Sequence, residues 1–539
     1  MRARDAASLA AREFDILVVG GGVYGLAIAA DAASRGLSVA LVEANDFGSG
    51  TSFNHQKTAH GGLRSLQSGR IDRARESIHE RRALARIAPR LLRPLPFIVG
   101  TYRSILKNRL ALKAAFRLDR LLGRARNEDL EPELHLPPPR LVSRAATLKL
   151  FPGVREPGLT GGAMWYDYQV VEGDRLNIAL AEAADAHGAV LANYAEATAV
   201  LRENGRVVGM RVHDRLTGET LDVRARLTIN AAGASVGRVM RMFGVEREVL
   251  LLKATNLVTS KPASDIALAA PDRGGRMLTL VPWRGHALVG TSQSRTFCGA
   301  DDTRVTSAEV DAFVADANAA FPSLHLTLED VTLVHRGVVP AQRGKGGLPD
   351  LLAAPRIVDH AREGVPGAMT VVGVKYTTAR GVAARVVSRA GALLGKRLRS
   401  SRTDRTVLPG AGIADHEALA IETARAVGLE LAPPISRHLT TLYGDRCAPI
   451  IRLMAEHTDW RMPLVPGQLH VGAEVIHVIR NEMACTLADV AIRRTTLGAA
   501  GHPGAPMLAA MAQIAGEELG WSDTRRNGEI AAVDAFYRL

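Results

Sequence analysis

Residues 14–46 read FDILVVGGGVYGLAIAADAASRGLSVALVEAND, and this stretch decides the fold. Ile16 to Val19 form an apolar run of strand type, and Gly20 to Gly25 make a turn. A helix then extends to about Ser34, Gly36 stops it, and Ser38 to Glu43 form a second strand. Gly20, Gly22 and Gly25 fit the G-x-G-x-x-G pattern. The first glycine makes the tight turn, the second lets the backbone approach a pyrophosphate, and the third lets helix and strand pack closely. The helix N-terminus offers N–H groups and a positive dipole end to phosphates. Glu43 stands at the end of the second strand, where a carboxylate accepts hydrogen bonds from a ribose diol. The same charge would repel the 2′-phosphate of NADP, so NAD and FAD are the candidates.

The downstream sequence separates those two. A nicotinamide dehydrogenase continues with further βα units. This chain instead passes through a polar loop, TSFNHQKTAHGGLRSLQSGR (51–70), and then arginine-rich helical segments at 73–93 and 117–126. A proline-broken linker, HLPPPRLVS (135–143), comes next. Residues 190–229 are β-rich, with hairpin turns expected at ENGR and LTGE, and end in the apolar strand and small-residue turn TINAAG. A further β-rich region covers about 250–295, and MTVVGVKYTTARGVAARVVSRAGALL (369–394) again reads strand, glycine turn, helix. From about residue 405 the composition turns helical. This order points to a flavoprotein that holds FAD in an extended conformation.

The bulk properties agree with an enzyme of more than one domain. The 539 residues exceed one ordinary domain, and 47% hydrophobic with 23% charged residues describes a globular chain. Apolar runs long enough to span a bilayer are missing, and the basic leader MRARDAASLAAREF lacks the apolar core of a secretory signal. Cys298, Cys447 and Cys485 are far apart, with neither metal-ligand nor disulfide spacing, so a reducing, cytoplasmic setting without a metal is expected. The net charge of +13 favours anionic partners: a phosphorylated substrate or an anionic membrane face. Aromatic residues make up only 4% and seldom interleave with basic ones, so no nucleic-acid partner is expected. The arginine-rich segments read as amphipathic surface helices, with peripheral membrane contact as the functional alternative.

The ordered motifs resemble the FAD-dependent, aerobic type of glycerol-3-phosphate dehydrogenase. VVGGGVYGLAIAADAASRGLSVALVEANDFGSGTS, KTAHGGLRSLQSG, NAAG, PWRGHALVGTS, GVKYTTAR and TVLPGAG match that family's motifs in order, and NEMACTLADVAIRRTTLG (481–498) resembles its accessory helical domain. The resemblance implies an α/β fold: a Rossmann-like FAD-binding domain of the D-amino-acid-oxidase and glutathione-reductase type, an interleaved β-rich substrate-binding cap, and a C-terminal α-helical domain. The implied boundaries are 1–405 for the oxidoreductase, with the cap at about 75–165 and 250–350, and 406–539 for the helical domain. FAD contacts are expected from Gly20, Gly22, Gly25, Glu43, Thr51, Ser52, Gly233, Gly373, Thr377 and Thr378. The implied reaction is oxidation of the secondary alcohol of sn-glycerol 3-phosphate to dihydroxyacetone phosphate, the C2 hydride passing to flavin N5. His60 is the candidate base, with Arg64 and Lys375 as anion binders. His55 has no counterpart in the family and reads as surface or loop packing.

The departures cluster at the substrate end. Ser65 stands where the family has tyrosine, Gln293 where it has an acid, and Val339 in HRGVVPAQRGKG (335–346) where it has arginine. Arg336 or Arg343 would then have to hold the substrate phosphate. Electrons would pass to a quinone or another acceptor, from a cytoplasmic enzyme or one on the cytoplasmic membrane face. An amine or amino-acid oxidase on the same fold, and a flavoprotein that has lost its substrate site and serves as a binding subunit, stay open as alternatives.

Overall fold

The computed structural model describes residues 1, 3–67, 69–103, 109–412 and 415–538. Strand Phe14–Val19 is buried at every position, because a parallel strand in mid-sheet is covered on both faces. It pairs in parallel with Val39–Val42 on one side and Thr220–Asn230 on the other, and Ala368–Val372 adds in parallel beyond that. Helix Val23–Ser34 runs back over this sheet and packs against helices Gly173–Ala186 and Ala379–Leu393. The register sets Val19 beside both Val42 and Asn230, so Gly20, Glu43 and the turn after Asn230 emerge at one edge. Carboxyl ends of parallel strands are where an open α/β sheet binds its ligand.

The meander Ala195–Glu203, Arg206–Asp214 and Thr220–Asn230 turns at Asn204 and Gly205, both at positive φ, as the two-residue Asn-Gly hairpin requires. A second, largely antiparallel sheet contains the long strands Leu92–Tyr102, Leu159–Val170, Leu251–Pro262 and Val331–Arg343. The short strand Thr58–Ala59 pairs antiparallel with Leu159–Val170 at its edge. From His416 onward the chain is helical, and its core of Leu439, Ile450, Ile451, Val475, Leu508 and Met511 is continuous with Phe53 and Trp283 of the front part.

The arginine-rich helix Ile71–Ile87 departs from the expected plain surface helix, since Glu80 and Arg81 turn inward and are buried. Arg380 neutralises Glu80, and Asp167 neutralises Arg81. Helix Arg109–Leu122 keeps the amphipathic pattern: Leu112 and Phe116 are buried against Ala163, while Lys113, Arg117, Arg120 and Leu121 are exposed. Among the described residues no helix is long and apolar enough to cross a membrane. The three cysteines are free.

Candidate functional site

A cleft of about 720 Å³ opens at the carboxyl edge of the parallel sheet. Its phosphate end is made of backbone. Gly20 sits at φ +110°, and a Cβ there would lie 2.7 Å from the Ala231 carbonyl. At Gly25 an added Cβ would lie 1.8 Å from the Gly20 carbonyl, so helix Val23–Ser34 crosses the turn at a separation only glycine permits. Gly22 begins that helix with no side-chain cap of its own. Ser52 Oγ accepts from Val23 N at 2.9 Å, which brings the polar loop onto the helix N-terminus. Thr51, Ser52, Gly20, Gly22 and Gly233 all line the cleft. Glu43 lines it too, and its carboxylate accepts from Gly21 N at 2.6 Å and Asn45 N at 2.8 Å. Each oxygen keeps a lone pair for a ribose hydroxyl.

These residues fit FAD: bare peptide at the turn for a diphosphate, a helix N-terminus behind it, and a carboxylate at the ribose position. Loop 43–53 is anchored from behind by the C-terminal helical region. Asp46 is fully buried and accepts from Arg493 Nε at 2.6 Å and from Arg494 Nη1 and Nη2 at 2.7 Å each. Burial works against the Asp46 charge, yet the two guanidinium groups hold its carboxyl well below the usual carboxylate range. Both arginines belong to NEMACTLADVAIRRTTLG, in a π-helical turn at Asp489–Arg494. Nothing in their local sequence pattern announces a partner more than 440 residues away.

The other end of the cleft is built from side chains. Gly373 lines it, but the Cβ it lacks would meet the Tyr24 ring at 2.2 Å, so this glycine accommodates Tyr24. Tyr24 Oη donates to the Lys375 carbonyl at 2.9 Å and ties the glycine-rich turn to GVKYTTAR. His55 packs within the loop rather than standing on the surface: half-buried, it lines the cleft and stacks on Tyr376 with ring centroids 4.4 Å apart. Thr377 and Thr378 are buried with their hydroxyls engaged inside the protein. Thr377 Oγ1 accepts from His60 N at 3.2 Å, and Thr378 Oγ1 donates to the Lys375 carbonyl at 3.5 Å.

His60 lies outside the cleft lining, half exposed, and joins the two motifs from the far side. Its Nδ1 stands 3.1 Å from Asp167 Oδ2 and its Nε2 is 2.8 Å from Thr58 Oγ1. Lys375 is exposed beside Glu76, with Arg70 and Arg73 near it. Arg64 falls on the short helix Leu63–Gln67, and its side chain lies outside the described residues. Arg336 lines the cleft, but its Nη2 donates to the Phe536 carbonyl at 3.2 Å, at the end of the last helix. Arg343 is not brought to the site: it ends its strand with its guanidinium 5.4 Å from the Phe297 ring centroid. Val339 faces the cleft as an apolar residue. Asp167 and Tyr24 are the site residues that sequence reading missed. Asp167 is a lone acid in a strand, and only strand register brings it to His60.

In the helical region, His438, His470 and Glu474 come within 4.8 Å of one another. Glu474 already accepts from Tyr443 Oη at 3.0 Å and Val471 N at 2.8 Å and stands 3.0 Å from His438 Nε2. Glu474 thereby caps helix Gly472–Glu482 at Val471 N.

A cleft at the carboxyl edge of a parallel sheet, with a glycine turn at a helix N-terminus and a carboxylate after the next strand, is the architecture of a dinucleotide-binding protein. The family model for FAD dependent oxidoreductases matches residues 15–389, and the C-terminal domain of alpha-glycerophosphate oxidase matches residues 401–526. The chain therefore belongs to the FAD-dependent oxidoreductase family, with FAD as its cofactor. It is 31% identical to the glycerol-3-phosphate dehydrogenase of Mycobacterium leprae over 97% of this chain and 88% of that one. With the Synechocystis glycerol-3-phosphate dehydrogenase it shares 29% identity over 96% and 95% of the two chains. The glycerol-3-phosphate dehydrogenase of Bacillus halodurans complexed with FAD shares the fold, with a TM-score of 0.75 at 24% identity over 98% of this chain and 96% of that one.

Proposed function

We propose that the protein oxidises the secondary alcohol of glycerol 3-phosphate, or of a closely related polyol phosphate, to the ketone and passes the electrons to a quinone or another acceptor. The Mycobacterium leprae and Synechocystis relatives are glycerol-3-phosphate dehydrogenases. The observation that carries the reading is the position of His60, bonded to Thr377 where KTAHGG and GVKYTTAR meet and open to solvent on one side. Bound FAD supplies a two-electron acceptor. The residues' share is to bind the anion, orient the alcohol and remove its proton. A neutral imidazole takes a hydroxyl proton near pH 7, and a nearby cation stabilises the developing alkoxide. Lys375 with Arg70 and Arg73 forms a cationic group on that side, offset within the protein by Glu76, which is itself paired with Arg385. This group supports capture of a phosphate in place of the arginine that Val339 lacks.

The test is anaerobic mixing of the FAD-loaded protein with glycerol 3-phosphate, other phosphorylated polyols, 2-hydroxy acids and amino acids, followed by loss of the flavin's visible absorbance. Rapid bleaching by glycerol 3-phosphate is expected, slowed about 100-fold or more by His60→Ala, the lower range of general-base contributions. Bleaching by an amine, or by none of the panel, would refute the reading. Val339 favours one second reading, in which the pocket takes a smaller anion such as a hydroxy acid. The exposed Lys113, Arg117, Arg120 and Leu121 on helix Arg109–Leu122 support reversible contact with an anionic membrane, on its cytoplasmic face.

A further inference from the structure

Asp167 belongs to none of the motifs that bring His60 forward, yet His60 is tied to it. It lies in strand Leu159–Val170, whose ladder with Thr58–Ala59 pairs Thr58 with Gln169 and Ala59 with Tyr168. One step further, His60 falls opposite Asp167. Asp167 is buried and fully engaged: Oδ1 accepts from Gly61 N at 2.7 Å and from Arg81 Nη1, and Oδ2 accepts from Trp165 Nε1 at 3.3 Å and faces His60 Nδ1 at 3.1 Å. Gly61 leaves room for this packing: a Cβ there would lie 2.3 Å from Arg81 Nη1 and push the guanidinium off Asp167.

We propose that Asp167 is the positioning residue for His60, holding the ring proton on Nδ1 so that Nε2 presents its lone pair as the proton acceptor. The inference rests on the reading of His60 as the base. A carboxylate only accepts hydrogen bonds, so the nitrogen facing it carries the proton, and a neutral imidazole has one proton to place. Nε2 is thereby left as an acceptor and receives the Thr58 hydroxyl, 2.8 Å away, until another hydroxyl takes that place. Asp167 stays ionised for this task. Burial opposes its charge, but the His60 hydrogen bond, the Arg81 guanidinium and Gly61 N together hold its carboxyl below the ordinary value. Once Nε2 has taken a proton, the same carboxylate stabilises the imidazolium, as the buried acid does in a Ser-His-Asp triad. The competing role for Asp167 is neutralising buried Arg81 and nothing more.

Asp167→Asn separates the two. Asparagine keeps the shape and can still accept from Gly61 N, but it turns an NH₂ towards Nδ1, which drives the ring proton to Nε2. In ¹⁵N spectra of histidine-labelled, FAD-loaded protein, the expected result is Nδ1–H in the wild type and Nε2–H in Asp167→Asn. Flavin reduction by glycerol 3-phosphate should fall about 100-fold in the wild-type background but only about twofold in a His60→Ala background, since both changes remove the same contribution. Equal losses in the two backgrounds, or an unchanged tautomer, would overturn the proposal. Arg81→Met combined with Asp167→Asn removes the charge pair together. It should recover the melting temperature lost in Asp167→Asn while the rate stays low, and recovery of the rate would assign Asp167 to charge neutralisation. Unchanged reduction in His60→Ala alone would refute the base reading, while the tautomer measurement still reports whether Asp167 orients the ring.

Discussion

The phosphate end and the far end of the cleft are held in different ways. At the phosphate end the contacts are backbone atoms of one continuous segment, Gly20 to Gly25, stacked against the Ala231–Ala232 turn. At the far end, Tyr24, His55 and Tyr376 line the cleft, with His60 and Asp167 outside the lining, and these residues come from four separate stretches that meet through side-chain bonds and strand register. A backbone cradle tolerates sequence change everywhere except at its glycines. A site built from side chains can be re-tuned one residue at a time, and Val339, which lines the cleft, departs from the resembled family.

The largest effect should follow from Gly25→Val. With only 1.8 Å between an added Cβ and the Gly20 carbonyl, the helix cannot seat and flavin retention should be lost; a yellow, stoichiometrically flavinated variant would contradict the backbone account. Next comes Arg494→Met behind the loop. Removing one partner of a buried ion pair costs about 3–5 kcal/mol, so a marked drop in denaturant midpoint is expected, together with weaker FAD binding if loop 43–53 depends on this anchor. A stability loss with unchanged FAD affinity would mean that the helical region stabilises the fold without bracing the cleft.

Val339→Arg probes the side-chain end. A charge-assisted hydrogen bond to phosphate contributes roughly 1.5–3 kcal/mol, so KM for glycerol 3-phosphate should fall about tenfold. An unchanged KM would assign the phosphate to the Lys375, Arg70 and Arg73 side.

The effect most remote from the cleft's chemistry concerns acid stability. His335 is buried and His55 half-buried, and desolvation first, then the charge of Lys57, holds both well below the ordinary value of 6.5. Folded-state values below the unfolded ones mean that the unfolded chain gains protons first as pH falls. Stability present above about pH 6.5 is therefore lost on acidification below it, by up to about 1.4 kcal/mol per pH unit for each histidine. His335→Phe, in a pocket beside Phe53 and Trp283, should flatten that slope in melting temperatures measured between pH 5 and 8. An identical slope would place the acid sensitivity elsewhere.

Sequence reading located the cradle because its signals are local: an apolar run, glycines at fixed offsets and an acid at the next strand end. The hairpin at Asn204–Gly205 was legible for the same reason, since Asn-Gly takes positive φ at little cost. Reading failed where a residue's role depends on its partner. Arg81 and Glu80 look like the solvent face of a basic helix until Asp167 and Arg380 are placed against them. The sequence of GVKYTTAR likewise gives no sign that Thr377 Oγ1 accepts from His60 N and that Thr378 Oγ1 donates to the Lys375 carbonyl, bonds that leave each hydroxyl further capacity for a ligand.

The amino-acid order alone determined that residues 14–46 fold as strand, glycine turn, helix and strand, because each choice there is made within a few residues by backbone sterics and hydrophobic period. Tertiary structure decided which side chains attend His60 and what braces Asp46. Those contacts join residues as much as 448 positions apart, and only the closed sheet and the docked helices bring them within bonding distance.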